Sequence, residues 1–202
     1  MNSIIKSAIL NIPYARQIIT FVKQTPQPAD HVLKQQVIID LATKYGTRTF
    51  VESGTYMGDM VEAMKSRFDV LYSIELDDAL FESATDRFQA DGNVKILHGD
   101  SGEKLAEIMP QLSGPTLFWL DGHYSGGVTA LGTEATPIYA ELRHILSYPD
   151  IGHVILIDDA RLFGTDLSYP KVEEVAETVL GLRPSLEIDV QNDAIRIMPS
   201  AK

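Results

Sequence analysis

The chain has 202 residues, of which 45% are hydrophobic and 22% charged, a composition typical of a globular protein with one sizeable core. Its formal net charge of −11 would repel a phosphate backbone, so charge argues against nucleic acid as a partner. The absence of cysteine excludes disulfides, thiolate metal ligands and cysteine nucleophiles.

The first 46 residues are predicted to form a helical cap, because apolar residues recur at helical spacing over residues 4–22, interrupted at Pro13, and over residues 29–45. Such a cap would cover an active site or form a homodimer contact, and the pattern leaves both open. We expect one domain over residues 1–202, with its core at 47–202. No segment has the features of a signal peptide or of a membrane span, so we expect a cytoplasmic protein without a membrane partner.

After residue 46, short β-rich runs alternate with amphipathic segments. The predicted strands cover residues 49–52, 70–75, 94–98, 116–121 and 153–158, and the predicted helices cover residues 57–67, 78–89, 102–109, 137–147 and 171–182. This alternation is typical of a Rossmann-like α/β fold, a doubly wound, mostly parallel sheet with helices on both faces. The last segment, SLEIDVQNDAIRIMPS, is predicted to form an antiparallel hairpin that completes a seven-stranded sheet.

Acidic residues stand at or beside the end of each predicted parallel strand. In open α/β sheets a ligand binds beyond the carboxyl ends of the strands, near the point where the strand order reverses. The regularity therefore favours a binding site at this edge. The residues concerned are Glu52, Glu75, Asp100, Asp121, Asp158 and Asp159, together with Gly54.

The loop after the first strand carries the pattern Glu52-x-Gly54-x-x-x-Gly58. A dinucleotide site has G-x-G-x-x-G, whose middle glycine lets a pyrophosphate approach the backbone, but Tyr56 stands at that position. Glu52 adds a negative charge that suits a ligand with an ammonium or sulfonium better than a pyrophosphate. A tight strand-to-helix turn without a ligand is the alternative for the two glycines.

Glu75 lies 21 residues after Gly54, near the spacing at which an acid accepts hydrogen bonds from ribose hydroxyls. The same spacing occurs in nicotinamide sites and in S-adenosylmethionine sites. It predicts an adenosine-type ligand without choosing between the two.

Five strand-end segments carry further motifs: VESGTYMGD, LYSIELDD, VKILHGDSGEKL, LFWLDGHYS and VILIDDAR. In order and spacing they resemble the successive motifs of class I S-adenosylmethionine-dependent methyltransferases, and the resemblance covers residues 50–161. Within that superfamily the chain is most similar to metal-dependent O-methyltransferases of the catechol and macrolide-sugar types, which also lack the middle glycine.

The resemblance implies a role for each motif residue. Glu52 would face the methionine ammonium, and Gly54, with Thr55 and Gly58 of the same loop, would face the cofactor backbone. Glu75 would hold the ribose. Contacts near the adenine are implied for Asp100 and Ser101, and Asp121 would border both cofactor and substrate.

Three carboxylates, those of Asp121, Asp158 and Asp159, end neighbouring predicted strands and would repel one another unless protonated or bound to a cation. An all-oxygen cluster suits Mg²⁺ or another hard divalent cation. In the family that the chain resembles, these positions hold a metal that binds the substrate hydroxyls. The alternative is that these acids cap helices or bind loop amides.

Methyl transfer to oxygen needs a group that removes the hydroxyl proton. The catechol-type enzymes use a lysine three residues after the first metal aspartate, but Tyr124 stands there, so His123 is the predicted base beside Asp121. A solvent-exposed or structural histidine is the alternative. The glycine- and threonine-rich residues 124–137 are predicted to form a substrate lid.

The remaining side chains of interest near the motifs are one arginine, three histidines and the tryptophan. Arg161 is placed to bind an anionic or carbohydrate substrate or to form a salt bridge with a neighbouring acid. His144 is predicted to form a surface pair with Glu141 at helical spacing. His98, His153 and Trp119 are predicted to be structural, and Trp119 to pack in the core.

The sequence thus predicts an S-adenosylmethionine-dependent, divalent-cation-dependent O-methyltransferase that acts on a small hydroxylated acceptor such as a sugar or glycoside. A nicotinamide-dependent oxidoreductase of the same fold is one alternative, which Tyr56 disfavours. A non-catalytic ligand-binding module is the other, and the strand-end acids disfavour it because an inactive domain has no evident reason to bear their repulsion.

Overall fold

The computed structural model describes residues 28–122 and 137–200, which form a seven-stranded sheet with helices on both faces. The strand order is β3-β2-β1-β4-β5-β7-β6, and β7 is antiparallel to both of its neighbours. The predicted fold is therefore confirmed, with the last strand of the chain inserted between β5 and β6. The strands are β1 Thr49–Ser53, β2 Val70–Glu75, β3 Val94–His98, β4 Thr116–Leu120, β5 Val154–Ile157, β6 Leu186–Gln191 and β7 Ala194–Pro199.

Helices cover both faces of the sheet, three on each. One core cluster joins α1, α2 and α3 to the sheet, and the other joins α4, α5 and α6 to the opposite face. Among the described helices, none is long and apolar enough to cross a bilayer. The helices are α1 His31–Tyr45, α2 Asp59–Met64, α3 Asp78–Phe88, α4 Ser101–Ile108, α5 Ile138–Ser147 and α6 Val172–Leu182, with 3₁₀ turns at Met109–Gln111 and Ala160–Leu162.

Helix α1 is bounded by strong local signals. The Asp30 side chain accepts a hydrogen bond from the Leu33 amide at the N-terminus, and Gly46 ends the helix in the left-handed region at φ 65°. Val37, Ile38 and Leu41 form its buried stripe. Lys34 stands one helical turn before that stripe, so the same helix face carries a lysine toward the sheet.

Some predicted features lie outside the described residues. These are the helix over residues 4–22, His123 and nearly all of the segment 124–137 that was predicted to form a lid. The division into a cap and a core stays a prediction.

Candidate functional site

The order of the strands reverses between β1 and β4, and the chain passes very close to itself there. A Cβ built on Gly54 would lie 2.6 Å from the carbonyl oxygen of Asp121, nearer than Cβ atoms of real proteins approach other atoms. Gly54 also has φ 85°, which favours glycine. The glycine is therefore required by the close approach of the two strand ends, where this fold class places its ligands.

Glu52 is buried beside this approach, and a neutral hydroxyl binds it. Ser73 donates to its carboxylate at 2.5 Å, and the Ser73 and Thr55 hydroxyls are hydrogen bonded at 2.7 Å. Desolvation, reinforced by the charge of Glu75 and partly opposed by the Ser73 hydrogen bond, raises the pKa of Glu52 to about 8. Its carboxyl group is thus largely protonated at neutral pH and would ionise on meeting a positive charge.

The Glu75 side chain connects the loop after β1 to the end of β2 through hydrogen bonds. Its carboxylate accepts hydrogen bonds from the backbone amides of Tyr56 at 2.8 Å and of Leu76 and Asp77 at 3.0 Å each. A carboxylate has about four acceptor positions, so one position is left for a ligand hydroxyl. The predicted ribose contact stays a prediction, but Glu75 has a loop-ordering role that the sequence did not indicate.

The rest of the loop after β1 is shaped by backbone strain. Tyr56 adopts φ 48°, a left-handed conformation that is uncommon for a residue other than glycine, asparagine or aspartate. Gly58 has φ 78° and precedes α2, and a Cβ there would lie 2.7 Å from the Phe88 ring. The turn and its packing explain this glycine, and its cofactor contact stays a prediction.

Asp100 and Ser101 lie where β3 passes into α4. The Asp100 side chain accepts a hydrogen bond from the Gly102 amide at 2.8 Å and so caps the helix. Ser101 is buried in its first turn. Both residues therefore serve the helix start, and their predicted adenine contacts are untested.

The carboxyl ends of β4 and β5 bring Asp121, Asp158 and Asp159 together, as predicted. Desolvation and the charges of the other two aspartates raise the pKa of Asp121 well above its ordinary value. Desolvation also raises the pKa of Asp158, while a hydrogen bond from Lys34 works in the opposite direction. That lysine, contributed by α1, was not among the predicted site residues.

Lys34 makes the closest contact to the aspartates. Its ammonium lies 2.5 Å from Asp158 Oδ2 and 3.5 Å from Asp159 Oδ1, and 6.0 Å from the centre of the Trp119 ring. Burial acts to lower the pKa of Lys34, but the hydrogen bond to Asp158 and the surrounding aspartate charges outweigh it, so the pKa is raised. The lysine is held as a cation in the acidic cluster.

Arg161 forms the salt bridge that was one of its two predicted roles. Its guanidinium donates to Asp159 Oδ1 at 2.7 Å and to the buried carboxylate of Asp193. The Arg161 backbone amide also donates to Asp193 at 2.9 Å. The guanidinium is therefore engaged by two protein acids, one of which also contacts Lys34.

The predicted metal ligands do not present an open oxygen cluster. Asp158 Oδ1 accepts the Asp159 backbone amide at 2.7 Å, and its Oδ2 accepts the Lys34 ammonium. Within residues 28–122 and 137–200, no group of three or more His, Asp or Glu side chains is arranged to hold a metal ion. The residues as positioned do not fit a divalent cation, and the magnesium prediction finds no support in them.

Glu141 on α5 is a buried acid that the sequence interpretation placed on the surface. Its side chain is 1% exposed, so the predicted surface pair with His144 is wrong. Desolvation raises the pKa of Glu141 to about 7, against hydrogen bonds from Ser101 and Ser53 that lower it. One of its oxygens, Oε1, has no hydrogen-bond partner among the described residues, and the side chain lines a small pocket with Gly122 and Asp158.

Two structural predictions are confirmed. Trp119 is 2% exposed in the core cluster on the α1 face. His153 is buried, and its Nδ1 accepts the Thr116 amide at 3.2 Å. His98 stacks on Phe81 at 4.7 Å between ring centres and lies 2.9 Å from the Asp78 carboxylate, so it too has a structural setting.

Comparison with known proteins gives likenesses of structure only. No protein-family model matches the sequence, and no curated protein matches it. Solved structures do match. The O-methyltransferase TomG from Streptomyces achromogenes, involved in tomaymycin synthesis and solved with S-adenosylmethionine, superposes with a TM-score of 0.61 at 19% identity, over 87% of this chain and 83% of that one.

Two further solved structures are similar to this chain. An O-methyltransferase from Bacillus cereus, solved with S-adenosylhomocysteine, has a TM-score of 0.62 at 14% identity, over 99% of this chain and 92% of that one. The 23S rRNA methyltransferase ErmE has a TM-score of 0.52 at 15% identity, over 87% and 71%. The fold is that of the S-adenosylmethionine-dependent methyltransferases, which confirms the resemblance found in the motifs. Because these neighbours act on unlike acceptors, the fold does not choose an acceptor.

Proposed function

We propose that the protein is an S-adenosylmethionine-dependent O-methyltransferase that acts on a small hydroxylated acceptor such as a sugar or glycoside. One observation carries the proposal. At the reversal of strand order, Gly54 meets the end of β4 beside the buried carboxyl group of Glu52, whose hydrogen-bond partner is a neutral hydroxyl. Among the described residues no cationic side chain contacts this carboxyl group, so the site suits a ligand that brings a positive charge.

The proposed reaction is an in-line displacement. Bound S-adenosylmethionine would supply the methyl group, which would pass from sulfur to the acceptor oxygen, while a base would take the hydroxyl proton. Glu52 would bind the methionine ammonium, and the remaining acceptor position of Glu75 would bind a ribose hydroxyl. Asp121 and His123 stay the predicted catalytic residues, His123 lying outside the described residues.

The acceptor class rests on charge and on the loop composition. A net charge of −11 favours a small neutral or cationic acceptor over RNA. The glycine- and threonine-rich residues 124–137 suit hydrogen bonding to a hydroxylated molecule. Dependence on a divalent cation is the other version of this proposal, and the metal titrations described below discriminate between the two.

Calorimetric titration of S-adenosylmethionine, with NAD as the control ligand, tests the cofactor. Because Glu52 starts largely protonated, binding near pH 7 is expected to release a proton, so the observed heat will depend on the ionisation enthalpy of the buffer. The Glu52→Gln variant should bind more weakly and lose the Glu52 part of this buffer dependence.

Glu82→Gln is the matched control, since Glu82 is an exposed acid on α3. It should bind S-adenosylmethionine as the wild type does. Folded wild-type protein that binds NAD but not S-adenosylmethionine, or that binds neither, would exclude the proposed function.

A further inference from the structure

Lys34 reaches the acidic cluster because of its position on α1. It precedes Val37 and Ile38 by three and four residues, so its side chain lies on the buried face of the helix. The Lys34 side chain is 16% exposed and its partner Asp158 only 2%. A lysine in such a setting is a fixed internal cation rather than a surface group.

In the described residues, donors of the chain engage three of the six carboxylate oxygens of the predicted metal ligands. Lys34 and the Asp159 amide occupy the two oxygens of Asp158, and Lys34 and Arg161 both approach Asp159 Oδ1. A divalent cation at this position would have to displace an ammonium that is already paired, or bind beside it against strong repulsion. The described residues thus place two cations of the chain, Lys34 and Arg161, against these aspartates.

We propose that Lys34 takes the place of a divalent cation at the carboxyl ends of β4 and β5, so that the protein does not use a metal ion there. Metal binding itself can be tested without cofactor or acceptor.

The experiment is a calorimetric titration of Mg²⁺ and of Mn²⁺ into chelator-treated protein. The wild type is expected to show no saturable binding at these aspartates up to millimolar metal. Lys34→Met, which keeps an unbranched side chain against Trp119 but removes the charge, is expected to bind Mn²⁺ at least about tenfold more tightly, a change of about 1.4 kcal/mol. Lys34→Arg, which keeps the charge, should behave as the wild type does.

Lys44→Met is the matched control, because Lys44 lies on the exposed side of the same helix. It should leave metal binding unchanged. Micromolar binding of Mg²⁺ by the wild type that Asp158→Asn abolishes would overturn the proposal, and so would a folded Lys34→Met variant that gains no affinity. If Lys34→Met does not fold, the wild-type and Asp158→Asn titrations decide alone. None of these readouts needs S-adenosylmethionine, so a failed cofactor titration leaves them standing.

Discussion

The two halves of the sheet's carboxyl edge stabilise their buried acids in opposite ways. At β1 and β2, the hydrogen-bond donors to Glu52 and Glu75 in the described structure are a serine hydroxyl and backbone amides. At β4 and β5, the donors to Asp158 and Asp159 include an ammonium and a guanidinium. Among the described residues, no cation contacts the acids of the first half, whereas Lys34 and Arg161 contact those of the second.

The two groups of strand-end acids therefore have different surroundings, although the sequence does not distinguish them. Both halves show the same pattern, an acid at the end of a strand. A buried carboxylate is costly unless it is paired or protonated. The first half relies on a raised pKa at Glu52, and the second combines a raised pKa at Asp121 with the lysine from α1. Only the first arrangement is suited to bind a cationic cofactor.

We expect the largest effect from a substitution of Gly54, where the end of β1 meets the end of β4. In Gly54→Ala the added Cβ would meet the Asp121 carbonyl oxygen, and the residue would also be forced to keep φ 85°. We expect the free energy of unfolding to fall by several times the ~1 kcal/mol that a left-handed alanine alone costs. Cofactor binding should be lost as well. Chemical denaturation and calorimetry measure the two effects.

Gly46→Ala is the matched control for this substitution. Gly46 has φ 65°, but nothing lies within 4 Å of an added Cβ. This variant should lower the free energy of unfolding only by the cost of a left-handed alanine, about 1 kcal/mol, and leave cofactor binding intact. Equal losses in the two variants would show that the close approach at Gly54 is unimportant.

A second prediction tests the internally paired half. Asp158→Asn removes the charge that holds the buried Lys34, and breaking such a pair should lower the free energy of unfolding by about 3 kcal/mol or more. Asp69→Asn removes one partner of the exposed ion pair with Arg48, whose side chains are 60% and 74% exposed. That variant should unfold at nearly the wild-type denaturant concentration. A similarly small effect of Asp158→Asn would argue against a buried pair.

A third prediction concerns how the stability of the protein depends on pH. With folded-state pKa values of about 8 and about 7, above the ordinary value of 4.5, Glu52 and Glu141 bind more protons in the folded than in the unfolded protein. Stability should therefore fall as pH rises through this window, by at most about 1.4 kcal/mol per pH unit for each group. Desolvation lowers the pKa of His153, which acts in the opposite direction below pH 6.5, so the measurement is made between pH 6.5 and 8.

Two variants assign this pH dependence. Glu52→Gln should flatten the fall in stability toward pH 8, and Glu141→Gln should flatten it less and nearer to pH 7. Glu52 faces Ser73, Glu75 and Asp121. The pKa of Asp121 is also raised, so this group too makes the stability fall as pH rises. Wild-type stability that rises between pH 6.5 and 8 would contradict the prediction.

Most of the fold could be predicted from the sequence. The bounds predicted for β2 and β3 match the structure, and those of the other parallel strands differ by one residue at one or both ends, because short β-rich runs bounded by turn residues are local signals. Asp77, Asp100 and Gly46 mark helix ends for the same reason. The acids of the site could also be found, since the order of strands and helices fixes which strand ends share an edge.

The partners of those acids depended on tertiary structure. From the sequence, we predicted that Asp158 and Asp159 need a cation and that this cation is a metal ion. Lys34 was not considered because it lies 124 and 125 residues away along the chain, and no local pattern connects it to them. The signal that was available is the spacing of Lys34 from the apolar stripe of α1. Helical periodicity shows which face of a helix is buried, but it does not show which strands that face will meet.

Glu141 illustrates the same limit on the other side of the sheet. Its spacing from His144 fitted a surface pair equally well, and only the packing of α5 shows that the carboxyl group lies beside Ser53 and Ser101. The sequence by itself thus determined the elements, their order and the acidic edge, because these follow from local propensity and topology. Tertiary structure alone decided which acids are paired, protonated or left for a ligand, because a charge is stabilised by whatever the fold brings within a few ångströms of it.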